Sequence, residues 1–187
     1  MFNKKKSLSS AVLSVLAMFA GQANAASCPS DTRRAEVRGE IKSNAISAGT
    51  TVGIAHVRLE DRKSLRCGIV GNGGVGPDAT TINFIDHVVC DDNVLATDPQ
   101  TGKTDIIQSQ VTLTGSGRAA LQACIPDVPQ AGFYGTFTEV KPPVSGRGIF
   151  QGVTKGSVVV EGTINCQGAT SMKFRGEVCL RTAGDRD

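Results

Sequence analysis

The sequence predicts an all-β protein: an antiparallel barrel of about eight strands, with a β-sandwich as the alternative, stabilised by disulfides. Three observations predict it. Apolar and polar residues alternate with period two along most of the chain, and amphipathic helical patterns do not recur. Glycine- and proline-rich breakers separate these runs. Six cysteines, an even number, all lie beyond the first 25 residues.

The first element is a targeting segment. Lys4, Lys5 and Lys6 precede an apolar run from Ala11 to Ala20, and Ala23-Asn24-Ala25 follows. A basic start, a short apolar stretch and small residues at the last and third-last positions form a signal peptide, with cleavage expected after Ala25. The apolar run falls well short of the ~20 residues needed to span a bilayer. Residues 26–187 are therefore expected to form one exported domain, periplasmic or extracellular, with no membrane span in the mature form.

Eight strands are expected in that domain. The first four run Ala35 to Ile46, Thr51 to Glu60, Ser64 to Val70 and Thr80 to Cys90. The second four run Asp105 to Thr114, Gly132 to Lys141, Ser157 to Cys166 and Met172 to Leu180. Between them, Gly71 to Pro77 reads as a glycine loop, Gly115-Ser116-Gly117 as a turn and Arg118 to Ala123 as a short helix of at most two turns. Parity assigns Val158, Val160, Ile164, Phe174, Val178 and Leu180 to one inner face, with Val37, Ile41, Val111 and Leu113 as neighbours. Gly162 and Gly176 fall on that same face, where missing side chains imply close backbone packing.

Cys28, Cys67, Cys90, Cys124, Cys166 and Cys179 are expected to be oxidised, because an exported chain meets an oxidising compartment. No pair has C-x-x-C spacing, so no metal site is expected. Fifteen pairings are possible. If the last two strands are neighbours with their apolar faces on the same side, parity removes one bridge: Cys166 lies with Val158 and Val160, Cys179 with Lys173 and Arg175, so these two cysteines point to opposite faces.

Charge excludes further classes. Removing residues 1–25 leaves 17 basic residues against 17 acidic ones, and the apparent pI of 8.6 belongs largely to the removed segment. A balanced surface gives no footprint for nucleic acid. With no tryptophan and one tyrosine, the chain also lacks a base-stacking platform. Gly71, Gly73 and Gly76 spell G-x-G-x-x-G, but Pro77-Asp78 and a further strand follow where a dinucleotide site needs a helix N-terminus. No cofactor is expected.

Asp86 and His87 are the acid–base candidates. They lie in a strand whose two faces are both apolar, Ile82, Phe84 and Val88 alternating with Ile85 and Val89. A polar group buried there has a shifted proton affinity. His56 marks the emergence of its strand into water, and Asp91-Asp92 reads as a solvated turn. No G-x-S-x-G nucleophile elbow occurs.

The segment Gly146 to Gly162 carries Gly146, Gly148, Phe150, Gly152 and Gly156, a Gly-x-Gly-x-Phe-x-Gly turn leading into an alternating strand. It resembles a hairpin of the allene oxide cyclase and dirigent-like (calycin-like) β-barrels, with one extra residue between Phe150 and Gly156. The resemblance covers about a tenth of the chain. It implies a barrel with Phe150 burying apolar surface at one end, and it implies cyclase- or isomerase-type chemistry as one functional class. The family's glutamate and asparagine find no aligned counterparts around Glu36, Glu40 or Asn44, so no catalytic residue is carried over. The residues themselves favour a non-enzymatic binding module for a small apolar ligand or a protein partner. A structural envelope-associated protein is the remaining class.

Overall fold

The structure, a computed structural model, describes residues 28, 30, 32–60, 64–76, 79–97, 100–128, 131–153 and 155–181. The expected signal peptide lies outside the described residues. Among them, nine strands form one antiparallel sheet: β1 Thr32–Ser47, β2 Thr50–Leu59, β3 Leu65–Val75, β4 Thr81–Thr97, β5 Thr104–Ala123, β6 Phe133–Lys141, β7 Pro143–Arg147, β8 Gly156–Ile164 and β9 Ala169–Arg181. The order is β4-β3-β2-β1-β9-β8-β6-β5, and β4 pairs with β5 to close the ring. Closure leaves an eight-stranded barrel rather than a sandwich, and it removes the edges that an open sheet would have to protect.

β6 and β7 act as one interrupted strand. Ser116 faces Val140 and Leu113 faces Pro143, so both segments run along β5 in one register up to a shift between Leu113 and Thr112. Pro142 and Pro143 cannot donate to the ladder, and the strand breaks there.

Alternation puts Ala35, Val37 and Ile41 of β1, Ala55, Val57 and Leu59 of β2 and Val158 and Val160 of β8 inside, with Phe174, Val178 and Leu180 of β9. The predicted inner face is thus the core apart from Ile164, which is half-buried at the end of β8, and Val111 and Leu113 pack against that core half-buried. At Gly162 a side chain would collide with Met172 and Phe137, and at Gly176 with the backbone of Ser157 and Val158, as close packing requires.

Four expectations about β3 to β5 need correction. The stretch Gly71 to Val75 is strand, paired with Ile82 to Asp86, and the chain turns only beyond it. Gly115-Ser116-Gly117 is no turn, and Arg118 to Ala123 is no helix: β5 runs straight through both, paired with β4 as far as Arg118 and with β6 from Ser116 to Ala123. The ladder with β6 outweighs the local helical preference of a six-residue segment, which is too short to be stable alone. Asp91-Asp92 is not a solvated turn either. It forms the irregularity in the β4–β5 ladder between Val89 and Asn93. There Asp91 accepts the Arg66 amide at 3.1 Å, and Asp92 accepts the Ser109 hydroxyl at 3.2 Å.

A short 3-10 turn, Gly148–Phe150, crosses one mouth of the barrel and touches β4, β5, β7 and β9. Ile149, Phe150 and Val153 are all buried, so this crossover plugs that end. Ser109 latches it: its hydroxyl accepts the Ile149 amide at 3.2 Å while donating to Asp92.

Three disulfides complete the frame. Cys67–Cys90 joins β3 to β4 inside the core, Cys124–Cys166 ties the end of β5 to the β8–β9 turn, and Cys28–Cys179 fastens the N-terminal segment to β9. Cys166 and Cys179 do not bridge each other, as expected, although Cys166 lies in the turn beyond β8 rather than on its inner face.

Candidate functional site

Among the described residues the buried charged side chains gather at one place, the other buried polar ones being Ser43 and Ser109. β6 alternates Phe137, Glu139 and Lys141 on its inner side, and β4 adds Asp86. The Lys141 ammonium lies 2.7 Å from Asp86 Oδ2 and 3.1 Å from Glu139 Oε2. The Lys141 and Glu139 side chains are each 3% exposed and that of Asp86 is 10% exposed. The ammonium also stands 5.7 Å from the centre of the Phe84 ring, a cation–π distance.

Local sequence makes room for these charges. Gly115 and Gly117 of β5 lie beside Lys141 and Glu139 on β6, and Gly71 of β3 lies beside Asp86. A Cβ on Gly115 would sit 2.5 Å from Lys141 Cγ. One on Gly71 would sit 2.6 Å from Asp86 Oδ1. Glycine in a strand interior weakens the strand, and here it marks where a neighbouring side chain crosses the inner space.

The charges do not cancel. Two carboxylates and one ammonium would bury a net negative charge, which is expensive in a medium of low dielectric constant. The relief falls on Glu139. Burial pushes its carboxyl above its ordinary value; the charge of Lys141 and a hydrogen bond to it oppose this, and the nearby Asp86 carboxylate adds to it. Glu139 Oε1 is buried without a hydrogen-bond partner. Lys141 holds both carboxyls by closeness of charge more than by aligned hydrogen bonds. The cluster is therefore an Asp86–Lys141 ion pair beside a carboxyl biased towards its neutral, proton-donating form.

Asp86 and Lys141 form the polar wall of an internal cavity of about 60 Å³. The other walls are apolar, including Val57, Ile69, Val88, Val160 and, from the plug, Phe150 and Val153. That volume holds a few ordered waters or a ligand of a few heavy atoms.

The two predicted acid–base candidates part company. Asp86 turns inward into the cluster. His87, its neighbour, turns outward, is exposed and has Nδ1 3.1 Å from the Thr112 hydroxyl. The structure therefore does not bring the two together. His56 is exposed on the outer face of β2, as expected. Sequence reasoning missed Glu139 and Lys141. The signal that could have found them is parity: both share the inner register of Phe137, opposite a strand whose inner positions there are Gly115 and Gly117.

Among the described residues no group of three or more His, Cys, Asp or Glu side chains could hold a metal ion. Among the described residues no helix is long and apolar enough to cross a membrane. Comparison with protein families, with characterised proteins and with solved structures finds no match.

Proposed function

We propose that this chain is an exported binding barrel whose interior takes a small, mostly apolar ligand with one hydrogen-bonding end. The observation that carries this reading is the cluster at the cavity wall. Replacing a buried ion pair by packed apolar residues is often neutral or stabilising. A barrel of this size that keeps Asp86, Glu139 and Lys141 inside, and three strand glycines to accommodate them, gives up stability for a polar contact. The cavity supplies that contact at one side and apolar packing elsewhere.

Its volume sets the ligand's size. Typical ligand pockets measure ~300–1,000 Å³. At about 60 Å³, the closed barrel suits a molecule of a few heavy atoms, and anything larger enters only as the Phe150–Val153 plug withdraws. The same small volume supports a second reading, a packed structural barrel that presents its outer surface. Ligand-induced stabilisation separates the two. A binding barrel gains thermal stability from small amphiphiles such as short alcohols or amides, and Lys141→Met abolishes the gain. A packed scaffold shows none with any of them.

Export rests on the Lys4–Lys6 and Ala23–Ala25 pattern, and three disulfides that need an oxidising compartment support it. N-terminal sequencing of the mature protein should begin at Ala26.

A further inference from the structure

A second candidate site lies on the outside of the barrel, opposite in character to the interior. Arg58 of β2 faces Arg38 of β1, and Arg38 in turn faces Arg175 of β9, so three arginines stand in one row across three adjacent strands. All three are exposed on the outer face. Neighbouring strands place such residues ~4.5–5.5 Å apart at Cα. Like charges directly opposed across a ladder are destabilising.

The sheet does not neutralise this row. Among the described residues no carboxylate comes within ion-pair distance of the three guanidiniums, and the one side-chain partner is the Ser64 hydroxyl, 3.1 Å from Arg58 Nε. The adjoining row carries Glu60, Glu36 and Glu177, but two of these are engaged elsewhere. Glu177 pairs with Arg34 at 3.1 Å, and Glu60 Oε2 accepts the Glu36 amide at 3.4 Å. On the other side the row His56, Glu40, Lys173 and Glu161 follows. The three arginines line an open groove on this face together with Lys173, giving four cations against the two carboxylates of Glu40 and Glu161.

We propose that this groove binds a phosphate-type oxyanion, a tetrahedral group of at least two negative charges. Guanidinium forks match the paired oxygens of phosphate, and three forks in a row suit its three free oxygens better than the two of a carboxylate. Binding also relieves the repulsion that the unliganded sheet carries. The row was invisible in the sequence because Arg38, Arg58 and Arg175 become neighbours only through the registers of β1 with β2 and β9. It is compatible with the neutral charge balance of residues 26–187, since it is a local excess.

The test uses the oxidised full-length mature chain, titrated with inorganic phosphate and pyrophosphate, and in parallel sedimented with phosphatidylcholine vesicles containing phosphatidic acid. Saturable binding should weaken about tenfold or more in R38Q/R175Q, consistent with loss of charged hydrogen bonds. It should persist in K42Q/R118Q, which removes the same charge elsewhere on the surface. Without phosphate, R38Q/R175Q should melt no lower than the parent, and it should lose the phosphate-induced rise in melting temperature. Binding to the salts alone identifies a soluble phosphate compound as the ligand, and binding to the vesicles as well identifies a lipid-borne one. Absence of saturable binding, or equal weakening in both double variants, overturns the proposal.

Discussion

Lys141 and Asp86 meet across the inside of the barrel, ammonium to carboxylate at 2.7 Å, although they stand on strands that are not neighbours in the sheet. β5 lies between β4 and β6, and its Gly115 leaves the space through which the lysine passes. A contact of this kind couples the stability of the barrel to a group that can also face a ligand.

Breaking that contact from one side should be costly. Lys141→Met leaves Asp86 and Glu139 buried without their cation and should destabilise the fold by ~3–5 kcal/mol. Replacing all three, as D86L/E139L/K141M, should recover most or all of that loss. Urea denaturation of the two variants beside the parent measures it. A triple variant less stable than Lys141→Met would mean that the cluster stabilises the barrel.

The strand glycines should differ sharply. Gly117→Ala sets a Cβ against the Thr138 carbonyl oxygen and the Glu139 backbone, whereas Gly74→Ala meets nothing within 4 Å. The first should cost ~1–3 kcal/mol through forced backbone shifts, and the second should be close to neutral. Thermal unfolding of the pair checks this, and equal melting temperatures would contradict the placement of β5 against β6.

Acid titration should carry the mark of Glu139. Its folded-state carboxyl is raised, chiefly by burial. Between the ordinary glutamate value and that raised value, the folded protein holds a proton that the unfolded chain has released. The contribution of Glu139 is therefore fully present below the ordinary value and is lost as pH rises through the folded one. Denaturation across a pH series should show the parent losing stability relative to Glu139→Gln over this window and running parallel to it above. A difference that is flat throughout, or of opposite slope, would contradict the burial of this carboxyl.

Reduction should act most through the long loops. Cys28–Cys179 spans 151 residues and Cys67–Cys90 spans 23. Loop-closure entropy alone assigns roughly 3 kcal/mol to the shorter bridge and about 5 to the longer. Cys28→Ser/Cys179→Ala should thus lower the urea midpoint more than Cys67→Ala/Cys90→Ala does through closure alone. Peptide mapping of the oxidised chain should recover the pairs 28–179, 67–90 and 124–166.

Much of the barrel was legible because strands with one buried face write that face into the sequence. Val37 and Ile41, Val158 and Val160, and Phe174 and Val178 appear at alternate positions and are buried at alternate positions. What failed was glycine. Gly71 to Gly74 and Gly115 to Gly117 carry the local signal of turns, yet they lie in strands, and at Gly71, Gly115 and Gly117 side chains from a neighbouring strand occupy the space that their own would fill. Asp86 was legible from its apolar surroundings. Glu139 and Lys141 were not, since charged residues at the end of a strand ordinarily mark its exit into water. Only the facing glycines show that they point inward. The arginine row depends on register between distant segments, which alternation within one strand does not specify.

Native mass spectrometry of the oxidised chain isolated from its host, beside Lys141→Met prepared in the same way, tests the binding reading. A binding barrel should carry a small noncovalent adduct on the parent, released on unfolding, and lost or markedly reduced on the variant. Two bare barrels of expected mass, or the same adduct on both, would contradict it.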